Sequence, residues 1–419
     1  MAVDLLNLSE LETISNDYLP DGSIEVVAEF VNKSAPSVCP SCGGAAFYKH
    51  GVRRNKYADI PIEKMPVSLV VEWSRYRCRQ CRAMTTPFFE FIDEKRRATT
   101  RLVDWVRKKC LDTTFSNLAK QTGLAVNTIK NIALDLIAEI EANIQITTPI
   151  LLGLSEISMG GKPRSVITNL ATRTIFNILE GTTPDFSVNS FKRIPDRENI
   201  EWVCLAQWSP FTNLLGDILP NARLVIDKAH VVRMALDAME EVVRKYLTQT
   251  DAEIQPRIKN PQAKIFSYHS RVLSASHKKE LSALRESFPV LVAAYDCKEA
   301  FARLYEFTCK EEAISAFAEW RERLPVRELE EFHELADMVQ KNFEGVFAYW
   351  DAPTGLIDTF TEVSAGVAQK LDRIESGYSF EVLRAKMMYK DYAQIVEKIL
   401  ADPSHNRPQH GAYVATRGE

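Results

Sequence analysis

The spacing of apolar residues divides this chain into stretches with different periods. Residues 1 to about 35 predict a short α/β opening segment. Residues 36–92 are rich in turn formers and flanked by cysteines, and residues 95–146 carry apolar positions at helical spacing. From Pro149 to Ile226 the pattern switches to short apolar runs separated by turn signals. It predicts strands at Ile150–Leu154, Ser165–Leu170, Thr174–Leu179, Trp202–Leu205 and Arg223–Ile226, with helical segments near 186–194 and 211–219. Beyond His230 the period is helical almost to the end, punctuated by Pro256, Pro261, Pro289, Pro325 and Pro353. The tail from Asp402 has no periodicity and is expected to be poorly ordered. No internal repeat is visible.

With 419 residues, the chain predicts two to four folded units. Its 46% hydrophobic and 26% charged residues are those of an ordinary globular protein. No apolar run is long enough to span a bilayer, and the acidic start, Met1-Ala2-Val3-Asp4, lacks the basic residues of a signal peptide. These features predict a cytoplasmic protein with reduced cysteines. The net charge of −4 is unevenly spread: Lys49 to Asn131 holds 18 Lys and Arg against 8 Asp and Glu, so +10 there faces −14 elsewhere. A basic segment within an acidic chain suggests contact with a polyanion, although a solvated basic face has the same composition.

Two motifs narrow the choice. Cys39-Pro-Ser-Cys42 and Cys78-Arg-Gln-Cys81 are CxxC pairs, each able to turn two thiolates toward one tetrahedral ion. They predict a structural Zn²⁺ site. A redox pair fits less well, because such sites use one CxxC at a helix start. Around the cysteines lie basic and aromatic residues, among them Arg53 and Arg54, suited to phosphate contacts. Farther on, residues 115–132 predict a helix-turn-helix. Ala119 sits at the helix crossing and Gly123 at the turn, Leu118, Leu124, Ile129 and Ile132 form the buried stripe, and Asn127, Thr128, Lys130 and Asn131 face outward toward double-stranded DNA. An ordinary helical hairpin is the bland alternative.

Taken in order, these parts resemble the ISL-three family of insertion-sequence transposases. The resemblance is carried by Arg75–Cys81, Gly160-Gly161-Lys162-Pro163-Arg164, Leu219–Lys228 with His230–Met234, and Gly377–Lys386. It implies a multidomain α/β plus α protein: zinc knuckle, helix-turn-helix, and an RNase H-like mixed-sheet core with a helical insertion. The expected boundaries are 1–92 for the N-terminal segment with the knuckle, 93–147 for the DNA-binding domain, 148–250 and 345–400 for the core, 251–344 for the insertion and 401–419 for the tail.

The resemblance also implies a DDE site, in which two strand-end aspartates and a helix glutamate hold two Mg²⁺ ions for DNA strand cleavage and transfer. The third acid aligns with Glu362. The two aspartate positions align with Ser155, in Gly153-Leu154-Ser155-Glu156, and with Ala206, in Leu205-Ala206-Gln207-Trp208. The Phe that precedes the family's His is Ala229 here. Glu156 should point to the opposite face from Ser155, and Asp227 matches an aspartate the family already has. The expectation is a catalytically inactive, DNA-binding regulator or repurposed transposase. The alternatives are an active DDE transposase that recruits Glu156 or Asp227, and a protein-interaction scaffold built on the acidic helical region beyond residue 230. A homo-oligomer stays open.

Overall fold

The computed structural model describes residues 8–31, 34–85, 89–144, 147–181, 189–206, 211–249, 262–325, 328–372, 374 and 377–389. The tail 401–419, the Gln207–Pro210 run, residues 186–188 and residues 251–261 lie outside them. The chain forms two units, residues 1–145 with 375–419, and residues 146–374.

The first unit holds a sheet of seven strands. The opening segment, expected as α/β, forms two antiparallel strands, β1 (Leu11–Tyr18) and β2 (Ile24–Phe30), with no helix among its described residues. The turn-rich reading of 36–92 also missed a long hairpin, β3 (Phe47–Ile62) and β4 (Met65–Cys78). Charged residues on the exposed end of β3 hide its period. In β4, Val67, Leu69, Val71 and Trp73 alternate into the core with Tyr57, as a half-buried strand requires. The two-residue turn has Glu63 and Lys64 at φ 48° and 68°, the positive values a tight hairpin demands. Short strands β5 (Met84–Thr85), β6 (Ile92–Asp93) and β7 (Ala98–Thr99) complete the sheet.

Three helices follow: α1 (Thr100–Lys109), α2 (Phe115–Thr122) and α3 (Val126–Asn143). The Thr99 and Thr114 side chains cap α1 and α2, accepting from the Leu102 and Asn117 backbone N–H groups. Gly123 ends α2 at φ 70°, the left-handed conformation that glycine adopts without a Cβ penalty. Leu118, Ile129 and Ile132 are buried and Leu124 partly so.

A last helix, Phe380–Met388, packs in the first unit. Lys386, buried there, donates to the carbonyls of Cys110 (2.7 Å), Leu111 (3.3 Å) and Thr113 (3.0 Å), just past the end of α1. Tyr378 Oη accepts from the Phe115 N–H at 3.0 Å, and Arg384 pairs with Glu141. Helical spacing alone could not assign this segment to either unit.

The second unit contains every strand expected between Pro149 and Ile226. They are β8 (Leu151–Met159), β9 (Lys162–Asn169), β10 (Thr174–Leu179), β11 (Trp202–Leu205) and β12 (Arg223–Ile226), in the order β10-β9-β8-β11-β12. β8, β9 and β10 are antiparallel, and β8, β11 and β12 are parallel, the mixed sheet of an RNase H-like core. Gly160 and Gly161 make the β8–β9 turn at φ 63° and 73°. One face packs on Phe191, Ile194 and Leu215. The other packs on Leu356, Ile357 and Phe360 of helix α12 (Leu356–Asp372), where α4 is Phe211–Ile218, α5 Lys228–Gln249, and α6 to α11 lie between 262 and 347. Those intervening helices share an apolar core with α5, built on Leu291, Phe332 and Phe347.

Candidate functional site

Four cysteine sulfurs converge in the first unit. Cys39, Cys42, Cys78 and Cys81 place their Sγ atoms within 4.8 Å of one another. The Cys39–Cys81 and Cys42–Cys78 separations are both 3.6 Å, against the ~3.8 Å edge of a tetrahedron with Zn–S bonds of about 2.3 Å. Two matching turns build the cluster. Gly43 N–H donates to the Cys39 carbonyl at 2.8 Å, and Arg82 N–H to the Cys78 carbonyl at 3.1 Å. Gly43 and Arg82 share positive φ, 72° and 61°. Backbone N–H groups point at the first sulfur of each pair: those of Ser41 and Cys42 lower the Cys39 thiol, and those of Cys81 and Gln80 lower Cys78 to about 7. Against the Gly44 N–H, the neighbouring sulfurs push Cys42 up to about 12, a crowding of negative charge that a dication relieves. These four residues are the zinc site, and with all positions taken by protein the ion is structural.

The residues expected to meet DNA differ in exposure. On α3, Asn127 and Asn131 are exposed and Thr128 and Lys130 partly so. Arg53 and Arg54 are exposed on β3, and Arg54 is partly neutralised by Glu72 at 3.4 Å. Arg79 stacks its guanidinium over Tyr48, 5.7 Å from the ring centroid. One structural residue had no sequence signal. Asp59, 1% exposed, accepts from Thr99 Oγ1 at 2.6 Å and is clamped by both ends of Arg101. It ties the zinc-bearing hairpin to the first turn of α1.

In the second unit, backbone registry sets Leu154 beside Leu205 and Leu205 beside Ile226. The next residues continue the row, with the Ala206 N–H on the Leu154 carbonyl and the Asp227 N–H on the Leu205 carbonyl, both at 2.9 Å. Ser155, midway along β8, therefore stands beside Ala206 and Asp227, the residues that follow the last positions of β11 and β12. Alternation puts all three on the face that α12 covers, because Gly153 abuts Phe360 and both Cys204 and Val225 pack in that layer. Ser155 is buried, and its hydroxyl finds no hydrogen-bond partner among the described residues. Ala206 is partly buried and apolar.

Asp227 is engaged structurally. Its Oδ1 accepts from the Ala229 N–H at 3.1 Å, capping α5, and from Thr361 Oγ1 at 3.5 Å. Burial raises its carboxyl above the ordinary value, opposed by those two hydrogen bonds. Ala229 itself is exposed on the first turn of α5. Glu156 is exposed, and its position on the strand directs it away from the Ser155 face. Glu362 is 63% exposed on α12 and pairs at 2.8 Å with Arg173, a positive-φ residue before β10. This donor set, one neutral hydroxyl, one methyl, one capping carboxylate and one arginine-bound carboxylate, does not suit a pair of Mg²⁺ ions, which demand hard anionic oxygens.

A four-thiolate knuckle, a helix-turn-helix and an RNase H-like sheet define a transposase-type protein. Family comparison agrees in all three parts. Residues 35–81 match the zinc-finger of transposase IS204/IS1001/IS1096/IS1165, residues 89–137 the helix-turn-helix domain of transposase family ISL3, and residues 152–387 the ISL3 DDE transposase domain. The chain belongs to the ISL3 transposase family. No curated protein matches it in sequence. Among the described residues, no helix is long and apolar enough to cross a membrane.

Proposed function

We propose that this chain binds double-stranded DNA through its zinc-ribbon and helix-turn-helix unit and does not cut or join DNA, serving as a regulator or a repurposed transposase on the nucleoid. The observation that carries this reading is the row Ser155, Ala206, Asp227: the two positions where the family resemblance puts metal-binding aspartates hold a hydroxyl and a methyl. Asp227 is occupied as the cap of α5. Glu362, the remaining acid of the DDE set, is held by Arg173. One carboxylate cannot position two metals for in-line displacement.

On the DNA side, Asn127, Thr128, Lys130 and Asn131 supply base-edge and phosphate contacts, while Arg53 and Arg54 supply sequence-independent ones. The test compares the full chain with a Ser155→Asp, Ala206→Asp variant on DNA flanking its own locus, with Mg²⁺ or Mn²⁺. We expect duplex binding by both and strand cleavage by the unmodified chain in neither metal. Cleavage by the unmodified chain that disappears with Glu362→Gln would overturn the reading. In the same binding assay, Asn131→Ala should weaken the preferred sequence by about 1–3 kcal/mol. Arg53→Ala should weaken all sequences and flatten the salt dependence.

A further inference from the structure

The outer side of α3 has a composition that points to particular bases. Val126, at its first turn, is 48% exposed, an apolar side chain with no place in the core beneath it. Single exposed apolar residues are common on protein surfaces, so its neighbours decide the meaning. Ala125 and Asn127 flank it in the open, and Asn131 follows one turn later. The first two turns of α3 contain neither Arg nor any carboxylate. The first acid along the helix, Asp135, is held by Arg96.

Base edges in the major groove differ in what they ask of a protein. Guanine is best met by a bidentate Arg or Lys and cytosine by a carboxylate. Adenine takes the paired donor and acceptor of Asn, and thymine alone offers a methyl group to an apolar side chain. The exposed set on α3 lacks the carboxylate for cytosine and any Arg for guanine, and its one cation, Lys130, is partly buried. It has two Asn for adenine and a branched apolar side chain beside them for the thymine methyl.

We infer that α3 reads an A·T pair, with Val126 packed against the thymine C5-methyl group and Asn127 or Asn131 on adenine. This rests on the DNA-binding reading above. Val126 is then a specificity-determining residue, and its truncation removes nothing from the folded core.

The test uses the full-length, zinc-loaded chain. The tightest duplex recovered by selection from a random-sequence pool is resynthesised with each thymine in turn replaced by uracil, which removes only the C5-methyl. At one position the change should weaken binding about fourfold, the effect of withdrawing one buried methyl group. Val126→Ala should bind the thymine and uracil duplexes equally at that position. Val126→Ile, which keeps the branched surface, should retain the discrimination. Thermal melting of Val126→Ala should match the parent. Equal binding of thymine and uracil at every position would overturn the inference, as would undiminished discrimination by Val126→Ala or selection of a site with only G·C pairs under α3. Failure of the chain to prefer any duplex would overturn the sequence-reading role and this inference with it, whereas specific binding without a methyl effect would remove this inference alone.

Discussion

Arg173 holds Glu362 at 2.8 Å, turning the carboxylate we propose as the remaining acid of the DDE set toward the loop before β10. Both side chains are about 60% exposed, so the pair itself adds little stability. Its consequence is directional, since the guanidinium competes with a metal ion for the same carboxylate. In the unmodified chain Mn²⁺ should leave the melting temperature of the second unit unchanged. In Ser155→Asp, Ala206→Asp it should raise it, because an ion that binds only the folded state stabilises by mass action. Glu362→Gln in that background should abolish the rise. A Mn²⁺-dependent rise in the unmodified chain would contradict the pocket chemistry described above, whatever DNA ends are supplied.

Zinc should bind at one ion per chain. Replacing Cys78 by Ser should release it and unfold the knuckle, because a structural zinc contributes folding free energy directly. Elemental analysis finding no zinc in the purified protein, with all four thiols titratable, would contradict the assignment.

Lys386 should be needed by the helix-turn-helix. Lys386→Met strips the hydrogen bonds from three carbonyls after α1, at a cost on the order of 2–4 kcal/mol. Denaturant unfolding of the first unit should show the loss, and duplex binding should fall with it. A chain ending before Tyr378 should behave likewise. An unchanged unfolding midpoint in Lys386→Met would show that the buried ammonium contributes nothing.

Asp227 supplies a pH test. Its folded-state carboxyl is raised above the ordinary 3.8, chiefly by burial. A carboxyl raised on folding destabilises the folded state when ionised, so its penalty is absent below 3.8 and grows as pH rises through the folded value. Asn at this position keeps the side-chain oxygen that caps α5 and cannot ionise. The stability of Asp227→Asn relative to the parent should therefore improve from about pH 4 to about pH 7, read as the difference in urea midpoints. A difference that stays flat, or reverses, would refute the assignment.

The sequence by itself determined the parts whose chemistry is local. CxxC spacing confines two thiolates to one tight turn, so Cys39, Cys42, Cys78 and Cys81 declare a metal site before any fold is known. Gly123 and the apolar stripe of α2 and α3 declare a helix-turn-helix for the same reason. Strand runs bounded by turns placed β10, β11 and β12 residue by residue, while β8 runs five residues past the expected Leu154 and β9 starts three before the expected Ser165. What the tertiary structure decided are relationships between distant segments. The β3–β4 hairpin was hidden because charge on its free end masks a period of two. Lys386 draws its helix into the first unit through carbonyls some 270 residues away, a partnership no local period encodes. Sequence expected Ser155 and Ala206 to follow strand ends, which holds for Ala206, whereas β8 runs through Ser155 to Met159. Only the registry of three parallel strands sets them beside Asp227, and only packing shows that Asp227 caps α5 and that Glu362 pairs with Arg173.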